Sequence, residues 1–249
     1  MSPARGQVAR SSARLLIGRA VALLAPPRCA TCDCPAAIGA ILCRRCEEAI
    51  LRLPVGDLAA HRGDALAAHF AAFPMVWPAR DLVHALKYRS AVTAARKMAR
   101  LVADRVPPAL LADAALVPVP AHPVRLRQRG YNQSALLARE LARIERLPIC
   151  DCLVRRADAP PQTGLPRSRR LALDPSAVQA RTRPLHWTVR PEQFPTKVVL
   201  LDDVVTTGVT LEVCALAIRR RFGSEVRALT FASTGADPGK RIERCKKIG

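Results

Sequence analysis

Aromatic residues are scarce: two Trp, two Tyr and five Phe in 249 residues. Single-stranded nucleic acid is gripped on aromatic faces spaced along a groove, and no such platform is visible here. No run reaches the roughly 18 uninterrupted apolar residues that a membrane-spanning helix needs. No internal repeat is present. A nucleotide-driven motor is disfavoured within the chain, because GADPGK (235–240) lacks the G-x4-G-K-[ST] spacing. None of the five histidines has a partner at a spacing that suggests catalysis, and His122 reads as a turn residue.

Acidic residues are also few. Lys and Arg number 40 against 20 Asp and Glu, giving a formal net charge of +20 and a pI of about 11.0. Such an excess favours phosphorylated metabolites, nucleic acid or an anionic membrane face as partners. It reads equally as a compositional habit of a chain rich in Ala, Arg and Pro, so charge alone does not establish nucleic-acid binding.

At the N-terminus, Arg14 precedes an apolar run, but Arg19 interrupts it and no A-x-A cleavage pattern follows. The expectation is a soluble cytoplasmic protein whose residues 1–25 form a basic amphipathic helix, helical from about 13. That helix packs on the protein's own core or touches the inner face of an anionic membrane.

Five of the nine cysteines crowd into residues 29–46. Cys29-x2-Cys32, ten residues, then Cys43-x2-Cys46 form two knuckles, and two knuckles complete a closed shell of four thiolates, the usual arrangement of structural zinc. Residues 26–55 are therefore expected to be a small zinc-ribbon-like module. It holds too few large apolar residues to fold without its metal. Cys34 is a spare that could replace Cys32, and Cys150, Cys152, Cys214 and Cys245 read as ordinary thiols.

Strand and helix patterns alternate beyond residue 66. Strands are predicted at 69–77, 115–120, 149–156, 197–203 and 225–234, with helices between 79 and 106, at 132–147 and at about 210–222. This alternation predicts an α/β domain over 66–240, a mostly parallel sheet flanked by helices. Residues 53–66 read as a connection. The Pro- and Arg-rich stretch 157–195 has little periodicity and is too long for an ordinary loop, which suggests a lid.

The chemistry concentrates in VVLLDDVVTTGVT (198–210). A buried strand delivers Asp202 and Asp203 to its carboxyl end, where open α/β sheets bind ligands. Two adjacent carboxylates require compensation by cations or hydroxyl donors, and a sugar diol with or without magnesium supplies both. Thr206, Thr207, Gly208 and Thr210 then turn into a helix N-terminus, a cradle for phosphate. Upstream, VPVP (117–120) is a strand end followed by a loop carrying Arg125, Arg127 and Arg129, placed to meet a pyrophosphate. Asn132 suits the N-cap of the next helix, with Tyr131 and Leu136 as a staple. Lys87 and Arg89 read either as additions to the anion site or as a solvated face.

The 198–210 stretch resembles the phosphoribosyl pyrophosphate motif of type I phosphoribosyltransferases. VPVPAHPVRLRQRGYNQSALLARELA (117–142), PQTGLPRSRR (161–170), HALKYR (84–89) and the four-cysteine module together resemble the ComF family over nearly the whole chain. The resemblance implies a ribose held by Asp202 and Asp203 and a 5-phosphate held by Thr206 to Thr210. It also implies magnesium riding on the pyrophosphate and a hood loop formed by Gln162, Thr163, Gly164 and Arg167. The family pattern then continues with an acidic residue and Arg-x-x-Asn, where this chain has Arg169 and Leu173. Binding is implied more strongly than turnover.

Two functions follow from the resemblance. One is a phosphoribosyltransferase acting on phosphoribosyl pyrophosphate or a related phosphorylated nucleotide, with no acceptor base named by the residues. The other is a non-catalytic protein of natural transformation that binds single-stranded DNA or a nucleotide on the same scaffold. Any motor for DNA uptake would be a separate helicase partner.

Overall fold

A computed structural model of the chain describes residues 27–56, 58–59, 64–88, 91–156, 177–181 and 194–235. Its elements are α1 (Arg44–Leu51), β1 (Leu58–Ala59), β2 (Ala68–Pro74), α2 (Ala79–Tyr88), α3 (Ala91–Ala103), α4 (Pro108–Leu111) and β3 (Ala115–Pro118). There follow α5 (Pro123–Arg129), α6 (Gln133–Glu145), β4 (Leu153–Arg155), β5 (Val178–Ala180), β6 (Lys197–Val205), α7 (Val209–Phe222) and β7 (Glu225–Ser233). The N-terminal helix expected over 1–25 and the hood residues Gln162, Thr163, Gly164 and Arg167 lie outside the described residues, as does Arg89.

The sheet has the order β1-β2-β7-β6-β3. β2, β7, β6 and β3 run parallel, and only the two-residue β1 is antiparallel. A parallel sheet has both faces covered, so its strands read as continuous apolar runs rather than alternating ones. β6 shows the pattern: Val199 and Leu201 join the core beneath α2, α3 and α6, and Val198 and Leu200 join the core beneath α7. In α3 the buried residues Ala94, Ala95, Met98, Ala99, Leu101 and Val102 recur at helical spacing and form one apolar stripe. α7 ends at Gly223 in the left-handed conformation (φ 71), with Arg219 to Arg221 in its last turn, where cations suit the helix dipole.

Several sequence expectations are refined by the structure. The connection 53–66 contains β1, which extends the sheet by one edge strand. Residues 149–156 form two pieces and not one strand. Ile149 makes a parallel bridge to Leu116 at the sheet edge, and β4 then leaves to pair antiparallel with β5 in a separate ribbon. The stretch 157–195 is therefore not wholly irregular. β6 runs two residues past Asp203, because Val204 and Val205 still pair with Ala232 and Ser233 of β7.

The cysteine-rich region shares its core with the α/β part. Cys29, Cys32, Ile41, Leu42, Cys46 and Ile50 belong to the same apolar cluster as Phe70, Phe73, Leu82, Met98 and Leu137. Arg105 fastens the junction by donating to the carbonyls of Leu51 (2.9 Å), Ile50 (3.3 Å), Pro54 (3.0 Å) and Ala72 (3.3 Å). Its guanidinium also lies 4.1 Å from the centre of the Phe73 ring.

Candidate functional site: a cleft at the switch point of the sheet

The topology fixes where a cleft opens. β3 leads through α5 to α6 on one face, whereas its neighbour β6 leads to α7 on the other. Connections that diverge from adjacent strands leave a crevice outside their carboxyl ends. The β3 side of β6 stops pairing there: Pro118 is opposite Leu201, and the last bond on that side runs from Val119 N–H to Leu201 O (3.0 Å). Asp202 and Asp203 come next, so they face open space on that side while β7 still holds the strand on the other.

The resulting cleft encloses about 260 Å³. Asp202, Asp203, Thr206 and Thr210 at the end of β6 line it together with His122, Arg125 and Arg129 of the α5 segment. Lys87, Ser134 and Arg155 also line it.

The arginines come from a helix and not from the loop expected after VPVP. His122 caps α5 by accepting from Val124 N–H through Nδ1 (3.3 Å), Pro123 occupies its first turn, and Gly130 ends it in the left-handed conformation (φ 78). Positions four apart share a helix face, so Arg125 and Arg129 both line the cleft. Arg127 projects from another face and is exposed. Arg129 is steadied by the Tyr88 ring, 5.5 Å away.

The acidic pair is held by specific partners. Asp202 Oδ1 accepts from the Ser134 hydroxyl (2.7 Å) and from Asp203 N–H (2.9 Å). Burial, and after it the neighbouring Asp203 carboxylate, raise the Asp202 carboxyl from 3.8 to about 7, although the Ser134 bond opposes the shift. Asp203 Oδ2 lies 3.0 Å from Lys87 Nζ, in the geometry of an ion pair rather than an aligned hydrogen bond. Asn132 is the N-cap of α6, its Oδ1 accepting from Ser134 N–H (3.1 Å) and its Nδ2 donating to Val119 O (2.9 Å). Tyr131 donates its hydroxyl to Leu86 O (2.9 Å), which ties the end of α2 to the start of α6.

Past the acids, Gly208 adopts φ 78, a backbone state that glycine reaches without strain, and turns the chain into α7. Among the described residues no side chain caps this helix, and a helix N-terminus beside Thr206 and Thr210 suits an anion. Thr207 and Gly208 belong to the same turn without lining the cleft.

Sequence reasoning missed Arg155 and Ser134. Arg155 sits on β4, and its Nε is buried without a hydrogen-bond partner. Burial lowers its pKa, and Asp202 nearby opposes that effect. A charged residue closing the otherwise apolar strand LVR was the available signal.

The second site is the cysteine cluster. In the first knuckle, Cys29 N–H donates to Cys34 O (2.8 Å) and Asp33 N–H to Cys29 O (2.9 Å), with Asp33 in the left-handed region (φ 65). The second knuckle is a helix start: Cys43 is the N-cap of α1 and Cys46 lies in its first turn. A helix N-terminus favours thiolates. Burial raises the Cys29 thiol, but hydrogen bonds with the Thr31 side chain and nearby backbone outweigh it and bring the group down to about 7. The sulfurs of Cys29, Cys32, Cys43 and Cys46 all lie within 4.8 Å of one another. A tetrahedral shell with metal–sulfur bonds of about 2.3 Å places its sulfurs roughly 3.8 Å apart. The four cysteines therefore fit one metal ion with a closed shell, and Cys34 lies outside the group.

A parallel sheet with an acidic pair, a Thr/Gly turn and helix-borne arginines around the cleft at its switch point defines an open α/β protein with a charged ligand cleft. More specifically, the chain belongs to the family of competence protein F. It is 30% identical to competence protein F of Haemophilus influenzae over 162 residues, 62% of this chain and 68% of that protein. No family model matches the chain. Among solved structures it is similar to orotate phosphoribosyltransferase from Aeropyrum pernix, at 19% identity over 77% of this chain and 81% of that one. The TM-score of that overlay is 0.34.

Proposed function

We propose that the cleft binds phosphoribosyl pyrophosphate. The supporting observation is the meeting, in one cleft, of three groups matched to the three parts of that ligand. Asp202 and Asp203 suit the ribose hydroxyls. The turn of Thr206, Thr207, Gly208 and Thr210 suits the 5-phosphate, and Arg125 and Arg129 with Arg155 suit the pyrophosphate as charge-assisted donors. The family resemblance pairs magnesium with this ligand, as a passenger on the pyrophosphate. The 161–170 segment, with Gln162, Thr163, Gly164 and Arg167, is the candidate hood over the ligand.

Cleavage at the anomeric carbon would require little covalent chemistry from the protein. Positioning, and stabilisation of the charge growing on the pyrophosphate, are what such a cleft contributes. Among the described residues, no side chain in the lining is placed as a reader of an acceptor base. Calorimetric titration of phosphoribosyl pyrophosphate, repeated on Asp202→Asn with Asp203→Asn, tests the binding.

The cysteine cluster is proposed to hold zinc as a structural ion. Four thiolates leave no open coordination position for a substrate, and the metal would supply folding energy to a region with little core of its own. Free thiolate ligands persist best in a reducing compartment, which favours a cytoplasmic location. Among the described residues no helix is long and apolar enough to cross a membrane. Contact with the inner membrane face would rest on the 1–25 segment.

A second reading is favoured by the net charge of +20 and by the name of the curated relative. In it the protein serves DNA uptake in natural transformation, binding single-stranded DNA or a nucleotide beside a helicase partner. Binding to phosphates would weaken steeply with salt. A flat response across a salt series would count against it.

A further inference from the structure

A magnesium ion arriving with the sugar diol is one way to compensate the acidic pair, and the residues present allow that fit to be judged. Magnesium requires near-octahedral oxygen ligands and is attracted by uncompensated carboxylates. Asp203 is not uncompensated. Lys87 Nζ lies 3.0 Å from its Oδ2, and the two side chains are only 22% and 14% exposed. An ammonium at that distance repels a dication from the same oxygen. Asp202 commits Oδ1 to the Ser134 hydroxyl and the Asp203 amide. Around the two carboxylates stand four cationic side chains, Lys87, Arg125, Arg129 and Arg155. The acidic pair is thus a poor seat for a divalent ion.

Lys87 is held in place rather than adventitious. It lies in the last turn of α2, whose end is pinned by the Tyr131 hydroxyl on Leu86 O (2.9 Å). An ammonium has three N–H donors. Its ion pair with Asp203 leaves donors for an anion in the cleft.

We propose that Lys87 takes the place of a divalent cation at Asp203, so that the cleft binds a pyrophosphorylated pentose through its own cationic side chains and without magnesium. This inference rests on the phosphoribosyl reading above and adds a specificity-determining residue to it.

The test is calorimetry with phosphoribosyl pyrophosphate in excess magnesium and in buffer freed of divalent ions by chelating resin before the protein is added. Free chelator is avoided because it would strip a thiolate-bound metal. Wild type is expected to bind with affinities of the same order in both buffers. Lys87→Met, checked by circular dichroism, is expected to lose on the order of tenfold in the metal-free buffer, the value of one charge-assisted contact. It should recover part of that loss with magnesium, which can then occupy the vacated partner of Asp203. Lys87→Arg should keep metal-free binding. Wild-type binding that requires magnesium, or Lys87→Met binding as tightly as wild type without it, overturns the inference alone. No wild-type binding in either buffer overturns the phosphoribosyl reading and the inference with it.

Discussion

Ser134 Oγ and Asp202 Oδ1 lie 2.7 Å apart although 68 positions separate them in the chain. The bond joins the first turn of α6 to the end of β6, so the helix after β3 helps to hold the acid at the end of the neighbouring strand. Ser134→Ala removes a donor to the ionised carboxyl. The Asp202 carboxyl should therefore move further up from about 7, as read by carboxyl-carbon NMR titration. Stability should fall by about 1 kcal/mol, the usual worth of one such bond.

Asp202 also predicts a pH dependence of stability. Its folded value of about 7 lies above its ordinary 3.8, so the native state binds the proton more tightly. The group's contribution is then fully present below about 4 and is lost as pH rises towards 7 and through it. Urea melts across that range should show the decline, and Asp202→Asn should flatten it. An unchanged slope in the variant would assign the pH dependence to other groups.

The two faces of α5 predict different variants. Arg125→Ala or Arg129→Ala should weaken phosphoribosyl pyrophosphate binding on the order of tenfold each, the cost of a lost charge-assisted contact. Arg127→Ala should leave the affinity within about twofold, because an exposed charge off the cleft is largely screened. Equal losses at all three positions would show that α5 does not present its arginines as described.

Cys29→Ser should abolish stoichiometric metal, measured by atomic absorption on purified protein, whereas Cys34→Ser should leave it at one ion per chain. The cysteines share their apolar cluster with α2, α3 and α6. Metal loss should therefore lower the stability of the whole chain, by more than about 3 kcal/mol. Arg105→Ala tests the same junction from the other side, with an expected loss of about 2 kcal/mol in urea unfolding. Arg105→Lys should recover only part of it, since an ammonium lacks the planar fork that reaches four carbonyls.

Much of this was legible in the residues. Val198 to Leu201 read as a doubly buried strand because four apolar residues in a row leave no polar face, and the doubled CxxC fixed the cysteine cluster through spacing alone. The arginine helix was not legible. Pro123 and the short run to Gly130 look like a turn, and α5 buries none of its residues, so no apolar stripe announces it. Arg155 was hidden for a different reason. β4 lies outside the main sheet, and only the tertiary path past Ile149 brings its last residue under Asp202. The Lys87–Asp203 pair was equally out of reach, because a lysine in the last turn of a helix satisfies the helix dipole wherever it points.

The switch-point cleft is proposed to bind phosphoribosyl pyrophosphate through Asp202, Asp203 and the Thr206–Thr210 turn. Isothermal titration calorimetry of wild type against the Asp202→Asn, Asp203→Asn double variant tests it most directly. The account predicts saturable, one-to-one binding by wild type and a loss of on the order of a hundredfold in the variant, two charge-assisted contacts together. No saturable heat from the folded wild-type protein, or equal affinity in the double variant, would contradict it.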